Sequence, residues 1–288
     1  MKTIRSLDGL DFDEIFLAFK TAFQDYEMQL DKYELNRMLE RRGFVRELSF
    51  GAFVDGQLVS FTFNGIGVFR GIRTAYDTGT GTMKDFRGQG LATEIFNYSI
   101  PHLKDAGIDQ YLLEVLQHNS KAISVYKNLG FQITREFNYF IQENAKVVLG
   151  NEFKDDAYTI EPVNLSLVVG LSGFHDFYPS WQNSFEAVAR NSEDFIILGI
   201  FHREEPVGYC IFDPETGDIT QLAIAREFRR KGLANALLQK MMRMNSHNSV
   251  KAINTDVQCE QITRFFEAKG ISLKGKQFEM IRSLTHKK

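Results

Sequence analysis

Cysteine is nearly absent from this chain, and proline is scarce. Cys210 and Cys259 are the two cysteines among 288 residues, and neither belongs to a Cys-x-x-Cys pair. A disulfide framework and a thiol redox motif are therefore excluded. Five prolines and no low-complexity run leave no room for a disordered architecture. No two of the six histidines stand at metal-ligand spacing, so no metal is expected; His175-Asp176 is the one suggestive pair and reads as a loop dipeptide. Long apolar runs are missing too. The longest, Phe195 to Phe201, is far too short for a bilayer. The start, Met1-Lys2-Thr3-Ile4-Arg5, turns acidic at Asp8, Asp11, Asp13 and Glu14 without the apolar core of a signal peptide. A cytoplasmic protein with no membrane role is expected. With a net charge of -3 and no block of one sign, the chain lacks the clustered positive field that nucleic acid requires.

What is present is the composition of an ordinary globular protein, 43% hydrophobic and 25% charged, long enough for two domains. Most of the 26 phenylalanines belong to the core, since none cluster with Lys or Arg as a base-stacking surface would. Two segments repeat: Thr82-Met83-Lys84-Asp85-Phe86-Arg87-Gly88-Gln89-Gly90-Leu91-Ala92 and Ile224-Ala225-Arg226-Glu227-Phe228-Arg229-Arg230-Lys231-Gly232-Leu233-Ala234. Arg87, Gly90 and Ala92 map onto Arg229, Gly232 and Ala234 at a constant offset of 142 (229 − 87, 232 − 90, 234 − 92). A repeat of that period means two domain-sized copies.

The surroundings repeat as well. Upstream of the first copy, Gly51–Val54 and Leu58–Phe63 flank Asp55-Gly56, a two-residue hairpin signal in which both central residues need positive φ. Upstream of the second, Ile196–Phe201 and Val207–Phe212 flank a longer loop, His202–Pro206. Amphipathic helices follow both motifs, with Leu91, Ile95, Phe96, Ser99 and Leu103 on one face and Leu233, Leu237, Leu238, Met241 and Met242 on the other's; Pro101 should kink or split the first. Phe12–Met38 reads as helical. The fold class is α/β, with a mixed sheet in each of two domains, 1–147 and 156–288, and a boundary in Asn144–Ala157.

A strand running into Arg-x-x-Gly-x-Ala and then a helix has a mechanical meaning. Glycine lets backbone approach a ligand, and the first-turn N–H groups of the helix are free for an anion. In Arg87, Gly88, Gln89, Gly90, Leu91 and Ala92 those amides would converge on a pyrophosphate. A glycine loop that merely begins a helix explains one copy as well as a ligand site does, but not two copies in matching contexts. No Gly-Lys-Ser/Thr follows, which excludes a P-loop, and Gly88-Gln89-Gly90 does not continue as a dinucleotide fingerprint.

On these residues the chain resembles the GCN5-related N-acetyltransferase (GNAT) superfamily as a tandem, two-domain member. The family's Arg/Gln-x-x-Gly-x-Gly/Ala turn matches Arg87–Ala92 and Arg229–Ala234. A second block, Leu113–Phe131, resembles the ribosomal-protein N-terminal acetyltransferases, with Glu114, Asn119, Ala122, Tyr126 and Gly130-Phe131 in order. The resemblance covers the first half, and the second from about Phe195 to Lys240. It implies two mostly antiparallel sheets flanked by helices, each with strands four and five splayed. It also implies acetyl-CoA as cosubstrate and an amine as the second partner. The fourth strands would be Ala75–Met83 and Asp218–Ile224. Thr80 to Met83, with Thr82 and Met83 foremost, would face the pantetheine, and Asn119 would touch it. Arg229, Gly232 and Ala234 would form the second pyrophosphate turn.

Amide formation needs a base for the amine, stabilisation of the carbonyl oxygen and a proton for the thiolate. Glu114 is the candidate base, with Asp77 as its rival, and Tyr126 is the candidate acid. Alone, such a Glu is usually a solvated edge charge and such a Tyr usually core; the family's spacing favours catalysis. Aligning Gly130 with Gly270 places Asn254, Phe266 and Cys259 at the positions of Glu114, Tyr126 and Asn119, so the second domain is expected to be silent unless Asp256 is a displaced base. The excursion between strands three and four is longer in the first copy and carries Phe69, Arg70, Arg73 and Tyr76, which could shape an acceptor site. Asp25, Glu27, Asp31 and Glu34 could attract a cationic amine or simply form a solvated helix face. The expected activity is acyl transfer to an amine of a small molecule or peptide; the alternative is a non-catalytic acyl-CoA sensor or scaffold. The sequence leaves open the acceptor, acetyl against a longer acyl donor, and monomer against dimer.

Overall fold

A computed structural model describes residues 1–25 and 29–285. The chain packs as two units, Met1–Arg135 with Phe278–Lys288, and Glu136–Gln277. The first unit runs β1 (Lys2–Ser6), α1 (Phe12–Ala22), α2 (Lys32–Arg41), β2 (Phe50–Val54), β3 (Gln57–Phe69), β4 (Ile72–Thr82), α3 (Leu91–Asp105), β5 (Gln110–Leu116) and α4 (Ser120–Asn128). The chain passes into the second unit within β6 (Gln132–Glu143). It continues through β7 (Tyr158–Pro162), α5 (Leu165–Gly170), α6 (Phe185–Arg190), β8 (Ile196–His202), β9 (Glu205–Asp213), β10 (Asp218–Ile224), α7 (Leu233–Met244), β11 (Ser249–Asp256) and α8 (Glu260–Ala268), and returns within β12 (Ser272–Ser283).

Strand order is β1-β2-β3-β4-β5-β12 in the first unit and β7-β8-β9-β10-β11-β6 in the second. Division by packing therefore differs from division by sequence order at 147 and 156. Residues 136–143 belong beside β11, where Val250 pairs with Gln142, and the chain's end belongs to the first unit, where the Leu284 N–H donates to the Asp109 carbonyl at 2.8 Å.

Local sequence explains most elements. Asp11 and Asp31 each build a capping box with the Glu three residues on, so 12–38 is two helices and not one. Asp31 and Glu34 thus serve α2 itself, Asp25 lies beside Arg87 and Lys84, and Glu27 falls outside the described residues. Asp55 and Gly56 have φ of 49° and 87° and close the first hairpin. The second is tighter than the expected loop, turning on Arg203-Glu204 with Arg203 at φ 60°. The extra length between β3 and β4 is strand, reversed at Arg70-Gly71. α3 runs unbroken through Pro101.

Both faces of the first sheet are covered. Phe61 and Phe63 of β3 stack at 4.2 Å and meet Phe19 of α1, whereas Phe50, on the opposite face by strand alternation, meets Tyr98 of α3. Each such ring contributes about 1.5–3 kcal/mol on burial. Inside the second core, Ile200, Phe212, Leu237 and Phe266 cluster on one side and Val168, Val188, Tyr209 and Ile211 on the other. In each unit the fourth and fifth strands are parallel and part early. β4 and β5 pair at Thr74↔Gln110, Ala75↔Tyr111 and Tyr76↔Leu112, and β10 and β11 at Asp218↔Lys251.

Candidate functional sites

The split between β4 and β5 exposes backbone that a continuous sheet would use. The Met83 N–H donates to the Val59 carbonyl at 2.9 Å. Antiparallel bonding alternates, so Gly81 also faces β3, while the amides of Thr80 and Thr82 face the side that β5 has left. Met83 differs from the expectation for it: its amide is committed to β3 and its side chain is buried in the core.

Below this lies the turn. Gly88 and Gly90 have φ of 78° and 77°, and a Cβ built on either meets nothing within 4 Å. Gly90 caps α3 without a side chain, and Leu91 and Ala92 begin the helix, so the first-turn amides open outward. Such a concavity fits a phosphate group. Gln89 reaches back to the Asp85 carbonyl at 3.4 Å. Arg87 acts as a brace: Nε donates to the Thr82 carbonyl at 3.1 Å and Nη2 to the Ala22 carbonyl at 2.8 Å. Arg229 repeats this, with Nε on the Ile224 carbonyl at 2.9 Å, Nη2 on the Phe174 carbonyl at 3.3 Å, and Nη1 on Asp176 at 3.0 Å.

Three polar side chains stand around the first gap. Asp77 follows Tyr76, the last residue of β4 that pairs with β5, and is 8% exposed. Its Oδ1 accepts from the Gly79 N–H at 3.0 Å, and its Oδ2 from Thr80 Oγ1 at 2.9 Å and Tyr126 Oη at 3.4 Å. Burial pushes its carboxyl up to about 6, against these hydrogen bonds, which favour the charged form. Glu114, on β5 beyond the split, accepts from Tyr76 Oη at 3.1 Å. Burial first and Glu114 second raise the Tyr76 phenol well above its ordinary value, so Tyr76 stays a donor. Tyr126 packs edge-on against Phe96 and Phe131. Asn119 caps α4 through the Ala122 N–H at 3.2 Å.

The second unit keeps the turn and changes the rest. Gly232 caps α7 at φ 86°, Ala234 lies in its first turn, and the position of Gly88 is held by Arg230 at φ 64°. α4 and α8 begin after Asn119 and Cys259, which fixes the offset of 140 (259 − 119). Cys259 makes no side-chain cap. Phe266 is core, and Asn254, at φ 57°, donates to Ser180 Oγ at 3.0 Å and accepts from Gln277 at 2.9 Å. Asp256 closes a local turn onto the Gln258 N–H at 3.0 Å. Yet a cavity of about 590 Å³ runs along the β10–β11 split, lined by Arg229, Gly232, Ala234, Gln221, Asn254 and His175. His175 is no idle loop residue. Its Nε2 contacts Tyr209 Oη, and Gln221 Oε1 at 3.2 Å. Its signal was the adjacent Asp176, which pairs with Arg229.

The model of the acetyltransferase (GNAT) family matches residues 12–131 and 167–269. N-alpha-acetyltransferase 30 of Dictyostelium discoideum is 30% identical over 95 residues, 33% of this chain and 51% of the relative. The chain spans about half the length of that curated relative. A tandem GNAT protein from the clavulanic acid biosynthesis pathway, solved without AcCoA, superposes with a TM-score of 0.74 at 12% identity, over 100% of both chains. A GCN5-related N-acetyltransferase from Sphaerobacter thermophilus gives a TM-score of 0.73 at 14% identity, over 98% of this chain and 96% of its own. These structural likenesses establish the fold.

Proposed function

Because the chain belongs to the acetyltransferase (GNAT) family, we propose that its first unit transfers an acyl group, acetyl first, from acyl-CoA to a primary amine. One observation carries the reading: β4 and β5 part after Tyr76↔Leu112, and Asp77, Glu114 and Tyr126 stand around the gap. The thioester supplies an activated acyl carbon and a thiol leaving group. Gly88, Gly90 and the amides of Leu91 and Ala92 would hold its pyrophosphate, and Thr80 and Thr82 would offer amides to the arm and the carbonyl oxygen.

Glu114 is the better base of the two carboxylates. It lies beyond the split with Tyr76 donating to it, whereas Asp77 is deeply buried and accepts three hydrogen bonds. Glu114 would take the acceptor's proton, directly or through water, and the Tyr126 hydroxyl would give one to the departing sulfur. Asp77 would orient that hydroxyl. The name N-alpha-acetyltransferase 30 of a matched relative supports an α-amine as acceptor.

Free-thiol release from acetyl-CoA across small amines and peptide N-termini tests this. For an acceptor of the first unit, Glu114→Gln and Tyr126→Phe should each lower release by about 10²–10⁴-fold. If wild type binds acetyl-CoA and no amine raises release above the variants, the sensor or scaffold reading replaces this one.

A further inference from the structure

Where the first unit is apolar, the second is polar, at positions that strand pairing fixes. Arg87 and Arg229 donate to the carbonyls of Ala22 and Phe174, which makes the next residues, Phe23 and His175, equivalent. Ser60 pairs with Thr82 and Gly208 with Ile224, so Phe61 matches Tyr209, and Gly79 matches Gln221. Phe23, Phe61 and Phe63 form a ring cluster in the first unit. The second has His175 and Tyr209 where Phe23 and Phe61 stand, hydrogen-bonded to each other and to Gln221, while Ile211 keeps the place of Phe63. Exchanging an aromatic cluster for buried polar groups has no packing benefit, because each must find a partner.

The partners also decide the histidine's tautomer. Gln221 Nε2 donates to the Asn183 carbonyl at 2.6 Å, which turns Oε1 toward His175 and Tyr209. Tyr209 Oη donates to that oxygen at 2.9 Å, which leaves two acceptor oxygens facing His175 Nε2 and favours the tautomer protonated there. Nδ1 is then the basic nitrogen, with no hydrogen-bond partner among the described residues. Burial holds His175 below the ordinary histidine value, which favours the neutral base. His175 lines the 590 Å³ cleft and also a second hollow running from Val169 to Glu186. It stands where the two meet.

We propose that the second unit is a separate acyl-transfer centre, in which His175, held by Tyr209 and Gln221, takes the proton of a primary amine entering by the Val169–Glu186 hollow. The inference rests on the family reading for its donor, an acyl-CoA in the cleft. The amine nitrogen bonds the acyl carbon as the carbon–sulfur bond breaks. The proton passes from nitrogen to Nδ1 and on to the sulfur, leaving an amide and a thiol. Neither Glu114 nor Tyr126 needs a counterpart.

The full chain carrying Glu114→Gln and Tyr126→Phe isolates this centre. Thiol release from acetyl-CoA should persist with at least one of a panel of diamines, amino sugars, amino-acid amides and peptides. Adding His175→Phe, the first unit's own residue, leaves the Tyr209–Gln221 bond in place and should lower that release at least about 100-fold. His175→Ala should be rescued by added imidazole, which a merely structural histidine would not show. Without acyl-CoA, the accepted amine should slow carbethoxylation of His175 by diethyl pyrocarbonate more than an unaccepted amine of similar basicity at the same concentration, read by peptide mass. No release in the isolated centre, release indifferent to His175, or unprotected His175 would each overturn the proposal. The first unit is judged separately, by comparing Glu114 with Gln in a His175→Phe chain.

Discussion

The two units share what builds the turn and differ in what faces the gap. Arg87 and Arg229 brace the end of a fourth strand to a carbonyl across the unit, and Gly90 and Gly232 cap the next helix in the left-handed region. Glu114 and Tyr126 in one unit become Asn254 and Phe266 in the other, each fixed by structural contacts of its own. The phenylalanine cluster of the first becomes the His175 network of the second. The backbone turn is thus kept while the side chains around the gap change.

The largest expected effect lies in β12. Glu279 is 0% exposed and pairs with Arg135 at 2.5 Å inside the first unit, where Met280 and Leu284 also join the core. Glu279→Ala strands a buried guanidinium and should cost about 3–5 kcal/mol in urea unfolding of the first unit; an unchanged midpoint would show that this strand is dispensable.

Next comes Asp77. Its carboxyl is raised from 3.8 to about 6, so its contribution is full below pH 3.8 and is lost as pH rises through about 6. Wild type should lose roughly 3 kcal/mol between pH 3.8 and 7 that Asp77→Asn does not; parallel stability curves for the two would refute the burial argument.

Smaller effects sharpen the contrast. Asn119→Ala removes a cap and should cost about 1 kcal/mol, whereas Cys259→Ala removes none and should cost less. Arg230→Gly relieves a left-handed arginine and should gain about 0.5–1 kcal/mol, with Gly88→Arg losing a similar amount. Thermal denaturation reads both pairs.

Much of this was legible from local pattern. Asp55-Gly56, the glycine caps and the fifth-strand-to-helix block are short-range signals, and the offset of 140 follows from a single glycine alignment. The capping boxes at Asp11 and Asp31 were legible too, as Asp followed three residues on by Glu, but helical periodicity through 12–38 masked the break. Other features depend on distant partners. His175 meets Tyr209 and Gln221 across 34 and 46 residues, and only strand pairing reveals that phenylalanine is its counterpart. The exchange of β6 and β12 leaves no local mark, because any amphipathic strand fits the place beside β5 or β11.

If one fold holds two sets of proton-handling groups, blocking one set should spare the product of the other. The most direct test is mass-spectrometric detection of acylated amines from four chains: wild type, Glu114→Gln with Tyr126→Phe, His175→Phe, and all three substitutions together. Each partial variant should lose a different product, and the triple variant should lose both. A single product set abolished by either partial variant would contradict that expectation.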